Sequence, residues 1–291
     1  MKVLITGENG FIGKRLKQHF QRLGVDIFSN YNVNDTNVNI NKQINILEKE
    51  KLDRLQGNID VIIHLASKTS IPLSLADPYD TYYTNIIGTL NILEFARNKD
   101  INNIINVSTY VYGRPLYNPI DENHPVNPHS PYNKSKLLAE ELCSNYSKDY
   151  KLNIVTLRPF YIYGPLSKPL SFLPTIIHQI KTTGKAILSQ KNTKRDFLYI
   201  DDFVKLILRI INDFPNGYNV YNVGSGKSNS LEDVIEILEK NMQRKVSIDY
   251  DESIRPNDIL EMVADIRKVS NKFSWEPEID LEEGLKRLLS N

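Results

Sequence analysis

Two side chains four residues apart, Tyr132 and Lys136, form the pair in this sequence best suited to moving a proton. They lie in Ser130-Pro131-Tyr132-Asn133-Lys134-Ser135-Lys136, where Pro131 suits the first turn of a helix. The i, i+4 spacing then places phenol and ammonium on one helical face. A free tyrosine titrates near about 10 and is a poor base at neutral pH. A neighbouring ammonium favours the phenolate, so the spacing predicts a lowered value for Tyr132. Such a pair takes a proton from a hydroxyl as hydride leaves the adjoining carbon, and returns it in the reverse direction. Ser108, at the end of an apolar run, is expected to hydrogen-bond the reacting oxygen and orient it.

A hydride needs an acceptor, and the amino terminus offers a place for one. Gly7-Glu8-Asn9-Gly10-Phe11-Ile12-Gly13 stands directly between a strand-like and a helix-like segment. In a GxxGxxG spacing the first glycine permits a tight turn, the second a close backbone approach to pyrophosphate, the third close helix–sheet packing. The helix start adds N–H groups that face the anion. Gly7, Gly10, Phe11, Ile12 and Gly13 are therefore predicted to hold a dinucleotide. The second strand runs out through Phe28-Ser29-Asn30-Tyr31-Asn32, without the acid that binds a ribose 2′-hydroxyl and without an arginine. The choice between NAD and NADP stays open on these residues. No basic residue falls between Gly24 and Asn41, which favours NAD, while Lys14 and Arg15 lie close enough to the turn to reach a 2′-phosphate.

These groups need a scaffold. Apolar runs at 2–6, 25–29, 59–66, 103–108 and 153–157 read as strands. Between them Ile12, Leu16, Phe20 and Leu23 share one helical face, and Ile86, Leu90, Leu93 and Phe95 carry the helical period through 82–97. Residues 132–150 form a third helix. The alternation predicts βαβ units in an α/β fold, a Rossmann-type doubly wound parallel sheet. Beyond Pro159 the texture changes to a smaller α+β lobe, with helices at 201–212, 231–241 and 281–289 and a strand at 218–223. The dinucleotide-binding part is expected to span 1–163, with 201–225 rejoining it. Residues 164–291 mainly form the substrate-binding lobe, interleaved with the first part.

Composition narrows the class. With 36 basic and 35 acidic residues the net charge is +1, which carries no footprint for nucleic acid or an anionic membrane. No apolar run of about 18 residues exists to span a bilayer. The single cysteine, Cys143, excludes an intrachain disulfide, fits a reducing cytoplasm and reads as core packing. His19, His64, His124, His129 and His178 show no metal-ligand spacing, so no metal site is expected.

Taken together, these motifs resemble the extended short-chain dehydrogenase/reductase family, in particular its NAD-dependent nucleotide-sugar epimerases and dehydratases. Val61-Ile62-Ile63-His64-Leu65-Ala66 resembles the family strand that passes along the cofactor, which implies cofactor contacts for Leu65, Ala66 and Ser67. Asn85 matches the start of the NxxGTxN helix, and Asn45-Ile46 stands where an Asp-Ile normally meets the adenine. Ser-Pro-Tyr-x-x-Ser-Lys is similar to the catalytic helix, making Ser108, Tyr132 and Lys136 the implied catalytic set and giving Lys136 a hold on the cofactor ribose. Arg195-Asp196-Phe197 and Arg255-Pro256-Asn257-Asp258 resemble segments whose arginines face the nucleotide and its diphosphate. Guanidinium geometry suits that task. Tyr161 replaces the substrate-contacting asparagine of Arg-x-Phe-Asn.

The 4,6-dehydratases of the family carry Asp-Glu where this chain has Thr109-Tyr110, which disfavours dehydration and leaves Thr109 as a substrate contact. Ser70-Ile71-Pro72 and Ser74…Asp77-Pro78 resemble UDP-glucose 4-epimerases. The resemblance thus implies C4 epimerisation of a UDP-hexose through a 4-keto sugar, in a cytoplasmic homodimer. An NADPH-dependent 4-ketoreductase is the alternative, and a non-catalytic nucleotide-binding protein the alternative from another class.

Overall fold

The structure, a computed structural model, describes residues 1–28, 45–167, 171–251, 253 and 259–290. In chain order it opens with β1 (Lys2–Thr6), α1 (Phe11–Arg22), β2 (Asp26–Ile27), α2 (Lys49–Asp53) and β3 (Val61–His64). Then come α3 (Ile71–Ala76), α4 (Pro78–Tyr82), a π-helical turn (Tyr83–Ile87), α5 (Gly88–Asn98), β4 (Asn103–Val107), α6 (Pro131–Tyr150) and β5 (Asn153–Pro159). The remainder is β6 (Tyr161–Tyr163), α7 (Phe172–Thr183), β7 (Lys185–Leu188), β8 (Lys194–Arg195), β9 (Phe197–Tyr199), α8 (Ile200–Asn212) and β10 (Tyr218–Val223). It closes with β11 (Asn229–Ser230), α9 (Leu231–Met242), β12 (Ser247–Tyr250), β13 (Glu261–Met262), α10 (Arg267–Phe273) and α11 (Leu281–Leu289).

Packing divides the chain into two compact units. The first comprises Met1–Val111, Val126–Arg158 and Ile207–Tyr221, the second Tyr112–Pro125, Pro159–Leu206 and Asn222–Asn291.

The first unit is built on a six-stranded sheet in the order β10-β5-β4-β3-β1-β2. Its pairings from β5 across to β2 are parallel, with Thr6 opposite His64 and His64 opposite Asn106. This is the Rossmann-type α/β sheet that the alternation of elements predicts. Strands covered by helices on both faces need apolar residues at successive positions, and β1 and β3 are buried along nearly their whole length. Leu4, Ile62, Ile104 and Ile154 on one face meet Ile92, Leu93, Phe95, Ala96 and Cys143 in a single apolar cluster. Chain order reverses between β1 and β3. In open sheets of this kind the carboxyl ends at that switch point open a ligand crevice.

Two helical readings shift in detail. Leu23 is 61% exposed because α1 stops at Arg22 and Gly24 turns the chain at φ 67°. In the 82–97 segment a π-helical turn precedes α5, and one extra residue per turn rotates the face that points inward. Thr89, Ile92, Leu93, Phe95 and Ala96 take core positions, while Ile86 and Leu90 are only half-buried.

The second unit is irregular, with small sheets β11-β8-β13, β12-β7 and β6-β9. Trp275 anchors it, fully buried with Nε1 donating to the Asp202 carbonyl at 3.0 Å. Asp196 ties three segments together by accepting from the N–H groups of Ser225, Gly226 and Ala264.

Candidate active site

The glycine turn has the form that a bound pyrophosphate requires. Gly7 holds φ at +69°, and a Cβ there would lie 2.8 Å from the Ala66 nitrogen, so β3 and the turn can approach only with glycine. A Cβ on Gly13 would lie 2.5 Å from the Gly7 oxygen and 2.6 Å from the Glu8 Cα. Gly10 starts α1 in extended geometry and contributes no side-chain cap, so the first-turn N–H groups of Phe11, Ile12 and Gly13 face outward for an anion. Leu65, Ala66 and Ser67 follow β3 beside this turn and are half-buried. The residues present fit a dinucleotide.

Asn45 and Ile46 are held by the same framework. Ile46 is buried, packs where Gly88 of α5 leaves room, and its carbonyl accepts from Asn91 Nδ2 at 2.9 Å. Asn45 is exposed, with its side chain capping the Leu47 N–H at 3.1 Å. The 2′-hydroxyl position beyond Phe28 lies outside the described residues.

Helix α6 begins as its sequence implies. Ser130 caps the Asn133 N–H at 3.2 Å with Pro131 in the first turn. Asn133 Nδ2 donates to the Tyr110 carbonyl at 3.2 Å, which pins the end of the β4 segment against this first turn. That tie brings Thr109 beside Tyr132, close enough for its hydroxyl to act on the Tyr132 phenol. Tyr110 stacks on His129 at 6.5 Å between ring centroids.

Two expectations change here. Ser108 does not turn toward Tyr132; its hydroxyl donates to Glu140 Oε1 at 2.5 Å. Consecutive residues at a strand end point to opposite sides, so Thr109 is the hydroxyl that Tyr132 meets. The second change concerns protonation. Burial pushes the Tyr132 phenol up to about 12, Thr109 works against that rise, and nearby Tyr110 adds to it. Lys136, 2% exposed, is itself pushed down to about 8 by burial, with Cys143 and Glu140 opposing. Desolvation of each charged form outweighs the stabilisation the spacing predicts.

Behind the pair stands a group that the sequence reading passed over. Glu140 and Arg158 form a buried ion pair, with Arg158 Nε donating to Oε1 and Oε2 at 3.1 and 3.0 Å and Nη2 to Oε2 at 2.6 Å. Tyr132, Lys136 and Glu140 continue one helical face at steps of four, which is a legible signal; that Arg158 ends up opposite is visible only in the fold. Asn85, expected at the cofactor, spends its side chain within the protein. Its Oδ1 accepts from Lys68 N–H at 2.8 Å, and Nδ2 donates to the Lys68 carbonyl at 3.0 Å and to Ser135 Oγ at 2.9 Å.

Of the proposed substrate contacts in the second unit, Tyr161 is half-buried and packs edge-on to Phe197 at 5.0 Å. Arg195 is buried, with Nη1 donating to the carbonyls of Lys194 and Ile259 at 2.8 and 2.7 Å. Arg255 lies outside the described residues. Among the described residues no three His, Cys, Asp or Glu side chains gather as a metal site, and no helix is long and apolar enough to cross a membrane. Cys143 is buried and its thiol is pushed up to about 12, so it packs rather than reacts.

A glycine cradle at the β1/β3 switch point and a Tyr–Lys pair on the helix after β4 define a nicotinamide-dependent oxidoreductase site on a Rossmann-type sheet. Comparison with known proteins narrows the class: residues 3–224 match the NAD dependent epimerase/dehydratase family, and the chain belongs to that family. It is 32% identical to the UDP-glucuronate 4-epimerase of Thermodesulfobacterium geofontis over 99% of this chain and 94% of that protein. Its fold is similar to RMD from Pseudomonas aeruginosa complexed with NADPH (TM-score 0.89, 26% identity, 99% and 97% of the two chains). It is equally similar to UDP-glucose 4-epimerase from Thermotoga maritima with UDP-glucose (TM-score 0.88, 25% identity, 100% and 98%). The chain is an enzyme that works with NAD or NADP.

Proposed function

We propose that this enzyme epimerises a UDP-hexose at C4 by transient oxidation to a 4-keto sugar, with NAD as its cofactor. The observation that carries the reading is the Tyr132–Lys136 face, with Lys136 buried and Tyr132 half-buried, and a hydroxyl side chain, Thr109, rather than a carboxylate beside it. Dehydration by the Asp-Glu route has no carboxylates at 109 and 110 to use. NAD, when bound, supplies a hydride acceptor that can return the hydride. Tyr132 removes the proton from the C4 hydroxyl and returns one to the C4 oxygen after the 4-keto sugar has turned to present its other face. Lys136 holds the ribose and supports the phenolate, and Thr109 holds the C4 oxygen in line with Tyr132. Ser108, bonded to Glu140, supports the strand end. Thr109, Tyr161, Arg195 and Arg255 are the proposed contacts to the nucleotide sugar.

A 4-ketoreductase is the second reading, favoured by the likeness to the NADPH-bound Pseudomonas structure. A homodimer is part of the proposal. Leu73, Leu75, Tyr79, Tyr83 and Leu138 are exposed apolar side chains on α3, α4, the π-helical turn and α6, a cluster that a second copy would cover.

Denaturing the purified protein and identifying the released nucleotide, then incubating the native protein with UDP-glucose or UDP-galactose, tests the reading. Retained NAD with interconversion of the sugars supports the epimerase. An enzyme inert to both that oxidises NADPH with a 4-keto nucleotide sugar refutes it in favour of the reductase. Tyr132→Phe should lower turnover by about 10²–10⁴-fold while retaining cofactor.

A further inference from the structure

A line of buried polar side chains joins the glycine cradle to the catalytic helix. Its members are Thr6, His64, Asn85, Thr89 and Ser135, each at most 2% exposed. The direction of each hydrogen bond follows from chemistry. Thr89 Oγ donates to the Asn85 carbonyl at 2.6 Å, since a carbonyl can only accept. Thr89 Oγ therefore accepts from His64 Nε2 at 3.1 Å, which places the imidazole proton on Nε2. On the other side Thr6 Oγ accepts from the N–H groups of Leu65 and Ala66, both at 3.1 Å, and donates to His64 Nδ1 at 2.8 Å. Asn85 carries the line onward by donating to Ser135 Oγ at 2.9 Å, and Ser135 donates to the Tyr132 carbonyl at 2.8 Å.

We propose that His64, as a neutral Nε2–H imidazole, is a positioning residue that sets Tyr132 relative to the cofactor cradle through this line of hydrogen bonds. Ala66, at one end, is the residue against which Gly7 packs. The Tyr132 backbone is the other end. A second proton on Nδ1 would face a Thr6 oxygen already accepting two N–H groups, so the line excludes the imidazolium. Burial and the Lys136 charge act in the same sense, holding His64 down to about 3. A chain of mutually satisfied buried hydrogen bonds is stiff, and a break in it leaves unpaired polar groups. His64 touches neither substrate nor cofactor in this role and acts only through geometry.

The inference rests on the acid–base reading of Tyr132, so two readouts are chosen that need no turnover. Nitrogen NMR of the imidazole should report the Nε2–H tautomer, unchanged from about pH 5 to 9; an Nδ1–H tautomer or a titration in that window overturns the proposal. Ultraviolet titration of Tyr132 in the NAD-loaded protein, taken as the difference from Tyr132→Phe, should shift in His64→Phe, and an unmoved titration overturns it. With UDP-glucose as substrate, His64→Phe should lower kcat about 10- to 100-fold with KM within about threefold. His64→Gln, whose amide nitrogen can still donate to Thr89, should recover part of the loss and stands in if the phenylalanine variant does not fold. The double variant His64→Phe/Ser135→Ala should be no slower than the slower single. Multiplying losses, or a loss confined to melting temperature, refute positioning through this line. Failure of the wild type to turn over UDP-glucose counts against the epimerase reading alone.

Discussion

Replacing Glu140 by glutamine isolates the electrostatic part of the support behind the active site. The side chain keeps its size, but the Arg158 guanidinium, 7% exposed, loses its counter-charge. Arg158 donates from Nε and Nη2 to a carboxylate that also accepts from Ser108. Breaking one side of a buried ion pair costs about 3–5 kcal/mol, mostly from the charge left behind. An unfolding entropy of about 2.1 cal/mol/K per residue over 291 residues makes 1 kcal/mol worth roughly 1.6 °C. Glu140→Gln should thus melt roughly 5–8 °C below wild type if the chain unfolds as one, and further below if the first unit melts alone. Thermal and urea unfolding followed by circular dichroism measure this. The companion variant is Glu140→Leu/Arg158→Met, which removes both charges and should recover most of the loss. A glutamine variant within about 1 kcal/mol of wild type, or a double variant no more stable than the single, would refute the reasoning.

Other perturbations address the site directly. Lys136 loses its proton near about 8 in the folded protein against 10.5 in the open chain, so the unfolded state binds the extra proton between those values and wild-type stability should rise with pH across that window. Lys136→Met should therefore be more stable than wild type at pH 7, by about 3 kcal/mol at most, with turnover nearly abolished; denaturation at pH 7 and 10 should show the difference shrinking. Gly7→Ala should weaken NAD binding about tenfold or more through its positive φ and the approach of Ala66, read by calorimetric titration. Cys143 should resist thiol reagents until the protein unfolds, given its burial and raised pKa; modification at the rate of a free thiol would contradict its place in the core. Light scattering should report a dimer for the wild type, and Leu73→Glu/Tyr79→Glu should return a monomer.

The chemistry-bearing residues were legible because local rules constrain them. A glycine turn between strand and helix, a serine–proline helix start and an i, i+4 tyrosine–lysine pair each depend on neighbours in sequence, and β1, β10 and α11 fall where the apolar pattern puts them. The strands β8, β9 and β13, two or three residues each, are too short to carry such a pattern. The π-helical turn before α5 was likewise hidden, because one added residue in a turn rotates the inward face without changing composition.

By itself the sequence determined the alternation of strands and helices, the glycine cradle and the spacing of Tyr132 and Lys136, all consequences of backbone geometry over a few residues. Only the tertiary structure decided which hydroxyl faces Tyr132, what opposes Arg158, and how far burial moves each proton. Those depend on contacts between residues 18 to 60 positions apart, from Glu140–Arg158 to Thr6–Ala66, and on water excluded when the sheet closes. Pairing and desolvation are properties of the packed interior, so the same phenol and ammonium that look mutually stabilising along a helix are each displaced toward their neutral forms once buried within it.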